Sequence, residues 1–98
     1  MKVYLLINEE GKYKIGFTDR DTQTRIKELQ TGSHSEMRVV HEYESDNARQ
    51  IETTLHRLHR SNRIRLEWFD LNDDEVFDFV KKCRQIDYNI NYLQNNKI

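Results

Sequence analysis

The strongest constraint on the fold is a β-hairpin signature at the start of the chain. Two strand-like runs, residues 3–7 and 12–17, flank the segment Asn8-Glu9-Glu10-Gly11. Asn at the first position and Gly at the fourth are typical of a type I turn whose last residue is left-handed, which gives a three-residue loop with a glycine bulge. This turn predicts that Asn8 pairs with Lys12, so the numbers of cross-strand partners sum to 20.

The predicted register places a phenol and an amine on one face of the hairpin. Tyr4 lies opposite Gly16, and Lys14 is its diagonal neighbour, roughly 7 to 8 Å away by backbone and within reach of a long side chain. Gly16 has no side chain and leaves a gap in front of Tyr4. One face thus offers a phenol, an ammonium and space between them, although a strand glycine is often only a bulge or a point of close packing.

A helix is predicted directly after the hairpin. Asp21 or Thr22 can cap it, and Ile26 and Leu29 lie on its apolar side. Gly32 stands where a helix ends.

The second half of the chain alternates strands and helices. A strand over residues 37–43 precedes a helix that Asp46 caps and that runs to about Arg60. A strand-like run over 63–69 and a final helix opened by Asp73 or Asp74 complete the chain. The apolar stripes of these two helices contain Ala48, Ile51, Leu55 and Leu58, and Val76, Phe79, Val80 and Cys83, respectively. The order ββαβαβα predicts an α+β fold, with a small sheet of three to four strands, antiparallel or mixed, flanked by helices.

Length and composition narrow the class of protein. A chain of 98 residues and 12.0 kDa is expected to form a single domain over residues 1–98. Cys83 is the single cysteine, so it forms neither an internal disulfide nor a thiolate cage for zinc. No stretch approaches the ~20 apolar residues of a membrane span, and the first residues lack the apolar run of a signal peptide. We therefore expect a soluble, cytoplasmic protein with no membrane partner.

Charge is unevenly distributed although the net charge is only −1. Residues 47–66 hold five arginines against Glu52 alone, a net charge of +4, whereas residues 67–79 hold six acidic residues and no base, a net charge of −6. Such asymmetry can concentrate a field on one face, although charge runs are also common on solvated helix faces. The candidate phosphate-binding residues are Arg49, Arg57, Arg60, Arg63 and Arg65.

Five short motifs resemble, in order, those of the GIY-YIG nuclease superfamily, and most closely its small, phage-associated branch. They are Val3-Tyr4, Tyr13-Lys14-Ile15-Gly16, Arg25 with Leu29-Gln30-Thr31-Gly32, Ile51-Glu52 with Leu55-His56, and Glu67-Trp68-Phe69. The resemblance covers residues 3–71 and leaves 72–98 as a C-terminal helix and tail. It implies a GIY-YIG-like fold and a metal-dependent endonuclease that acts on DNA, or conceivably on RNA.

The resemblance also implies the site residues. Tyr4 matches the tyrosine of the first motif, Lys14 stands where many relatives have a second tyrosine, and Arg25 matches the arginine of the first helix. Glu52 matches the glutamate that binds Mg²⁺ or Mn²⁺, and His56 is an auxiliary candidate one helical turn further on. Two positions depart from the family pattern: Lys2 and Val3 replace the leading Gly-Ile of the first motif, and the second tyrosine is missing unless Tyr13 takes its place.

Phosphodiester hydrolysis requires side chains of these chemical types. A tyrosine with a pKa near 10 is a poor base at neutral pH, and ionising it there costs about 4 kcal/mol at about 1.36 kcal/mol per unit. Lys14 beside Tyr4 would favour the phenolate, Arg25 can donate two hydrogen bonds to phosphate oxygens, and a metal ion on Glu52 would acidify water and stabilise the leaving oxygen.

Each candidate also has a structural interpretation. Tyr4 and Lys14 are ordinary strand residues, Arg25 can pair with Glu28 on a helix surface, and a glutamate and a histidine four residues apart form a routine helix pair. The tripeptide Glu67-Trp68-Phe69 is expected to close the core rather than contact substrate.

The sequence is therefore consistent with three alternative functions. The first is a small endonuclease whose specificity comes from a partner protein, a homodimer or DNA structure, since a chain of this length has no room for a separate DNA-binding domain. The second is a catalytically silent nuclease-fold module that binds nucleic acid or a protein, such as a phage-encoded regulator or inhibitor. The third is a structural interaction protein with accidental motif matches.

Overall fold

A computed structural model describes residues 1–31 and 36–96 and has the predicted α+β class. Its elements are β1 (Lys2–Asn8), β2 (Tyr13–Thr18), α1 (Thr22–Gln30), β3 (Met37–Glu44), α2 (Ala48–Leu58), a 3-10 turn (Arg60–Asn62), β4 (Arg63–Arg65), β5 (Trp68–Phe69), α3 (Asp73–Phe77) and α4 (Phe79–Asn95). The strands form one antiparallel sheet in the order β3-β1-β2-β5-β4. The predicted helix stop at Gly32 lies outside the described residues.

The N-terminal hairpin has the predicted turn and register. The backbone N–H of Gly11 donates to the carbonyl of Asn8 over 3.1 Å, and the N–H of Asn8 donates to the carbonyl of Lys12 over 3.0 Å. Gly11 has a φ of 77°, the left-handed conformation that favours glycine. Tyr4 pairs with Gly16, and Leu6 pairs with Lys14. The turn chemistry alone therefore positions both strands.

The sheet has five strands in the described residues, more than the three to four that we predicted. The run over 63–69 is two short strands, β4 and β5, because the chain reverses at Leu66, which is left-handed with a φ of 53°. A similar division separates α3 from α4 at Asp78. Apolar periodicity does not reveal either break, because Ile64 on β4 and Val76 on α3 continue the apolar pattern, although all of β4 is exposed and no residue of α3 is fully buried.

Two clusters of apolar side chains cover the two faces of the sheet. One contains Val3, Leu5 and Ile15 together with residues of α2 and α4, and the other contains Tyr4 and Leu6 together with Ile26 of α1. Alternation along β1 separates the clusters, because successive strand residues point to opposite faces. The tyrosine and α2 therefore lie on different sides of the sheet.

Two of the expected helix caps are wrong. Asp21 caps α1 as predicted, with its carboxylate accepting from the Thr24 N–H over 3.4 Å. At α2 the N-cap is Asn47 rather than Asp46, and its side chain makes no capping bond. At α3 a reciprocal capping box joins Asn72 and Glu75, so neither Asp73 nor Asp74 serves as the cap.

A polar network explains why Asn47 does not cap its own helix. Its Nδ2 donates to the carboxylate of Asp87 on α4, which also accepts from Tyr43 and Ser45, all over 2.8 Å. Partial burial raises the pKa of Asp87, but these three hydrogen bonds outweigh it and hold the pKa below the ordinary value of 3.8. Asp87 thus joins α4 to the end of β3 and the start of α2.

Asp87→Ala is expected to lower the free energy of unfolding by about 2–3 kcal/mol at pH 7, since three hydrogen bonds contribute about 1 kcal/mol each. The folded pKa of Asp87 is depressed, so its contribution is present above the unfolded pKa and is lost as pH falls through the folded one. Urea unfolding of both proteins at pH 7 and at pH 3 should show the difference shrinking at low pH. Asp46→Ala, at an exposed position, is the matched control, and an equal Asp87→Ala loss at both pH values would contradict the assignment.

The structure also bears on two expectations from the sequence, that Cys83 forms no disulfide or zinc site and that no segment spans a membrane. Cys83 is fully buried, and burial raises the pKa of its thiol to about 12, so it is an unreactive core residue. Within residues 1–31 and 36–96, no helix combines the length and the apolar character needed to cross a bilayer.

Candidate active site

The ring of Tyr4 lies directly against the backbone of Gly16. A Cβ placed on Gly16 would overlap the Tyr4 hydroxyl oxygen and stand 2.5 Å from Cζ and 2.9 Å from Cε1. The gap that the register predicts in front of Tyr4 is therefore filled by the phenol itself, which is only 1% exposed. Glycine is required at this position because any side chain would displace the ring.

Arg25 of α1 is the cation that acts most directly on Tyr4. Burial raises the pKa of the Tyr4 phenol, and the nearby guanidinium of Arg25 lowers it by hydrogen bonding and by charge, with burial the larger effect. The carboxylates of Glu67 and Glu52 raise it further. The phenol is therefore protonated at neutral pH. We expected Lys14 to supply the balancing charge, but it is Arg25 that lies at the hydroxyl.

Arg25 also borders an open groove. Its Nη1 lies 3.3 Å from Glu28, a carboxylate that it shares with Arg20. The groove has a volume of ≈ 230 Å³, and its lining includes the end of β2 at Phe17 and Thr18. The Arg25 side chain is 38% exposed, so it extends from the buried Tyr4 hydroxyl to the solvent in the groove.

Lys14 is bound by a carboxylate that sequence reasoning did not assign to the site. Its Nζ lies 2.6 Å from Oε2 of Glu67 and 5.6 Å from the centre of the Trp68 ring. The Lys14 side chain is 10% exposed, whereas that of Glu67 is 39% exposed. The quoted tripeptide contained Glu67, and Phe69 and Trp68 do pack in the core, but only the pairing of β5 with β2 reveals that Glu67 reaches Lys14.

Glu52 and His56 project from α2 one turn apart, and each side chain is 13% exposed. Oε1 of Glu52 lies 3.7 Å from Nε2 of His56. Burial raises the pKa of Glu52, and Glu67 raises it further, whereas His56 and Lys14 lower it. Glu52 is therefore a sheltered carboxylate whose negative charge is only partly balanced.

Hydrogen bonding defines the tautomer of His56. Its Nε2 lies 2.8 Å from the carbonyl of Ile15, which can only accept, so Nε2 carries the hydrogen. Its Nδ1 lies 3.3 Å from Nη2 of Arg63, which can only donate, so Nδ1 is the acceptor. Both ring nitrogens of His56 are thus engaged, and the side chain fastens α2 to β2.

These side chains meet at the open edge of β2. Strand β5 pairs only with Tyr13 and Lys14, and the last contact is the Ile15 N–H donating to the Glu67 carbonyl over 3.1 Å. The carbonyl of Ile15 has no partner on β5 and instead lies 2.8 Å from Nε2 of His56. Glu52, on α2 at the other face of the sheet, is near enough that its charge raises the pKa of Tyr4 and that Lys14 lowers the pKa of Glu52.

The five arginines of the basic run are all exposed, and within the described ranges none of them forms a salt bridge. Arg63 borders the site through His56 and lies 5.6 Å from the centre of the Phe69 ring. Arg49 stands one turn before Glu52 and lowers its pKa. Arg65 lines a separate groove of ≈ 200 Å³ near the hairpin loop. For Arg57 and Arg60, the described residues show no hydrogen bond to the site.

A family model for the T5orf172 domain matches residues 1–84. The chain belongs to the T5orf172 domain family. This is a phage-associated family related to nuclease folds of the GIY-YIG and HNH-like kinds. No curated protein and no solved structure matches the chain. All residues of the candidate site fall within the T5orf172 match, which ends inside α4, so the later part of that helix lies beyond the family domain.

Membership of the T5orf172 family makes the chain a phage-associated nuclease-like or DNA-binding module. Motif order predicts Tyr4, Lys14, Arg25, Glu52 and His56 as site residues. In the structure Arg25 lies beside Tyr4, His56 lies beside Glu52, and Lys14 lowers the pKa of Glu52. The motifs do not predict the contact of Glu67 with Lys14, because a single carboxylate beside two core aromatics has no sequence signature of an ion pair with a strand 53 residues away.

Proposed function

We propose that the protein is a GIY-YIG-type endonuclease that hydrolyses phosphodiester bonds in DNA with the help of Mg²⁺ or Mn²⁺. The observation that carries the proposal is the buried Tyr4 hydroxyl, which packs against Gly16 and lies beside the Arg25 guanidinium, with the Glu52 carboxylate near enough to raise the pKa of the phenol. Family membership supports it, since a nuclease-related domain with a phenol, a guanidinium and a carboxylate in one place has the groups that phosphoryl transfer needs.

Glu52 fits the role of a magnesium ligand. Mg²⁺ is commonly bound by one or two carboxylates, with water and substrate phosphate completing its shell. Glu52 is sheltered and burial raises its pKa, so a nearby cation would stabilise its ionised form. The described residues contain no cluster of three or more His, Cys, Asp or Glu side chains that could hold a metal, so the remaining ligands would come from water and substrate.

Each side chain then has a different role toward a bound phosphodiester. Arg25 donates hydrogen bonds to the phosphate oxygens and withdraws negative charge from the reacting group. Tyr4, once deprotonated, accepts a proton from the attacking water. Glu52 would hold the divalent ion, which would supply charge neutralisation at the reacting phosphate. His56 holds α2 against β2, so that Glu52 keeps its position.

The direct test is incubation of supercoiled plasmid with the purified protein and Mg²⁺ or Mn²⁺. We expect nicked or linear product that EDTA prevents. No conversion with either metal would overturn the endonuclease proposal.

DNA binding is expected to depend steeply on salt. If four of the exposed arginines each neutralise one phosphate, the slope of log affinity against log salt concentration should be about −4 for duplex DNA. Arg49→Ala should reduce the magnitude of the slope by about 1, as measured by fluorescence anisotropy over a salt series with EDTA present. Arg84→Ala on α4 is the matched control, because it removes an exposed arginine outside the basic run. A slope near zero for the wild type would contradict the phosphate-binding role.

A second candidate is a catalytically silent module that binds nucleic acid or a protein partner. The observation in its favour is the state of Tyr4, which is 1% exposed and has a pKa that burial raises, whereas a general base needs a lowered one. Salt-sensitive DNA binding without cleavage by any metal would identify this module. For an endonuclease of this kind, we propose that sequence specificity comes from a homodimer, a partner protein or DNA structure.

A further inference from the structure

Lys14 is a sheltered amine with a close counterion. Its ammonium lies 2.6 Å from Glu67, and its side chain is 10% exposed. A buried ammonium is stable only when a partner compensates the lost hydration. The other strand lysine that pairs with a carboxylate across the sheet, Lys2, lies 3.5 Å from Glu42, and both of these side chains are more than 30% exposed. The Lys14 pair is therefore shorter and drier than a routine surface pair.

The backbone around Glu67 holds its carboxylate in place. The Glu67 carbonyl accepts from the Ile15 N–H over 3.1 Å, and the next residue pairs with Lys14 in the sheet. Leu66 immediately before it is left-handed, with a φ of 53° and 71% exposure. A non-glycine residue in that conformation costs about 1–2 kcal/mol. The chain therefore tolerates local strain directly before the residue that binds Lys14.

We propose that Glu67 is a positioning residue of the candidate active site, whose carboxylate holds the Lys14 ammonium at the edge of β2. The consequence for catalysis rests on the proposed nuclease function. Glu67 keeps Lys14 aligned beside the position that substrate occupies, and it also prevents Lys14 from pairing with Glu52. Since Lys14 already influences Glu52, release of the ammonium would let it compete for the metal-binding carboxylate.

The first test measures the accessibility of Lys14 and needs no activity. The folded protein is treated briefly with acetic anhydride, and mass spectrometry follows the labelling rate of each lysine. Glu67→Gln should increase the Lys14 rate by about tenfold, because a charge-assisted hydrogen bond is lost. The matched control Glu42→Gln, which breaks the Lys2 pair, should leave the Lys14 rate unchanged.

An unchanged Lys14 rate in folded Glu67→Gln, as checked by circular dichroism, would overturn the proposal. If Glu67→Gln does not fold, Glu67→Asp takes its place, since it keeps the carboxylate and shortens its reach. Lys14 in Glu67→Asp should then label at a rate between those of wild-type Lys14 and wild-type Lys2. A rate as fast as that of Lys2 would show that the carboxylate does not hold the amine.

The second test separates positioning from substrate binding. In plasmid nicking, Glu67→Gln should lower kcat by about 10- to 100-fold, as is typical for residues that orient others, with KM nearly unchanged and partial recovery in Glu67→Asp. A rise in KM at constant kcat would instead assign Glu67 to DNA binding and overturn the positioning role. Failure of the wild type to cut would overturn the nuclease function alone, and the labelling result would still decide whether Glu67 positions Lys14.

Discussion

Glu52→Ala is expected to reduce plasmid cleavage by about 1000-fold. A bound divalent ion contributes several kcal/mol of charge stabilisation in phosphoryl transfer, and each 1.36 kcal/mol is about tenfold in rate. Glu52 is the carboxylate that the proposal assigns to the metal, so its removal should take the ion with it. Nicking rates at saturating Mg²⁺ and Mn²⁺ measure the effect, and isothermal titration with Mn²⁺ measures the loss of binding independently of turnover.

The same substitution should leave the protein stable. The pKa of Glu52 is raised, mainly by burial, so its ionised form is held at a cost in the folded state. We therefore expect Glu52→Ala to keep or slightly raise the thermal midpoint at pH 7, a pattern typical of residues retained for activity. Glu42→Ala, at a surface carboxylate on β3, is the control and should keep full cleavage. Cleavage by Glu52→Ala at the wild-type rate would exclude Glu52 as the metal ligand.

Gly16→Ala is expected to destabilise the fold by about 1–3 kcal/mol, the usual range for overpacking a well-packed core. A Cβ at this position overlaps the Tyr4 ring, and the ring is enclosed by the cluster that contains Leu6 and Ile26. A loss of that size should lower the thermal midpoint by roughly 4–8 °C per kcal/mol in a domain of this length. Plasmid cleavage should fall as well, because the phenol is displaced from Arg25.

A double-mutant cycle identifies the cause of that loss. In the background of Tyr4→Ala, the destabilisation by Gly16→Ala should largely disappear, since the two residues are in contact. Gly11→Ala is the control. Gly11 has a φ of 77° and no atom within 4 Å of an added Cβ, so this substitution destabilises the protein through backbone strain. The destabilisation should be the same with Tyr4 and with Tyr4→Ala. Additive effects of Gly16→Ala and Tyr4→Ala would show that the glycine serves the backbone rather than the ring.

The local features of the fold were largely predictable. The hairpin turn, its glycine and its register depend on residues within a few positions of one another, and the cap at Asp21 depends on its own helix. Features that depend on distant partners were not predictable. Asn47 begins α2, as the structure shows, but its side chain binds Asp87 because α4 packs against it. The reversal at Leu66 could not be predicted from the sequence, because both halves of the 63–69 run contain apolar residues typical of strands.

That a phenol and an amine share one face of a hairpin follows from the residues of the hairpin, because strand alternation and turn geometry act over short distances and require no tertiary context. The charges that surround the two groups depend on the packing of distant segments. Arg25 rather than Lys14 lowers the pKa of the Tyr4 phenol against the larger effect of burial, Glu67 binds Lys14, and Glu52 lies on α2 at the other face of the sheet. Burial and proximity between distant segments set these interactions, and both arise only when the helices pack on the sheet.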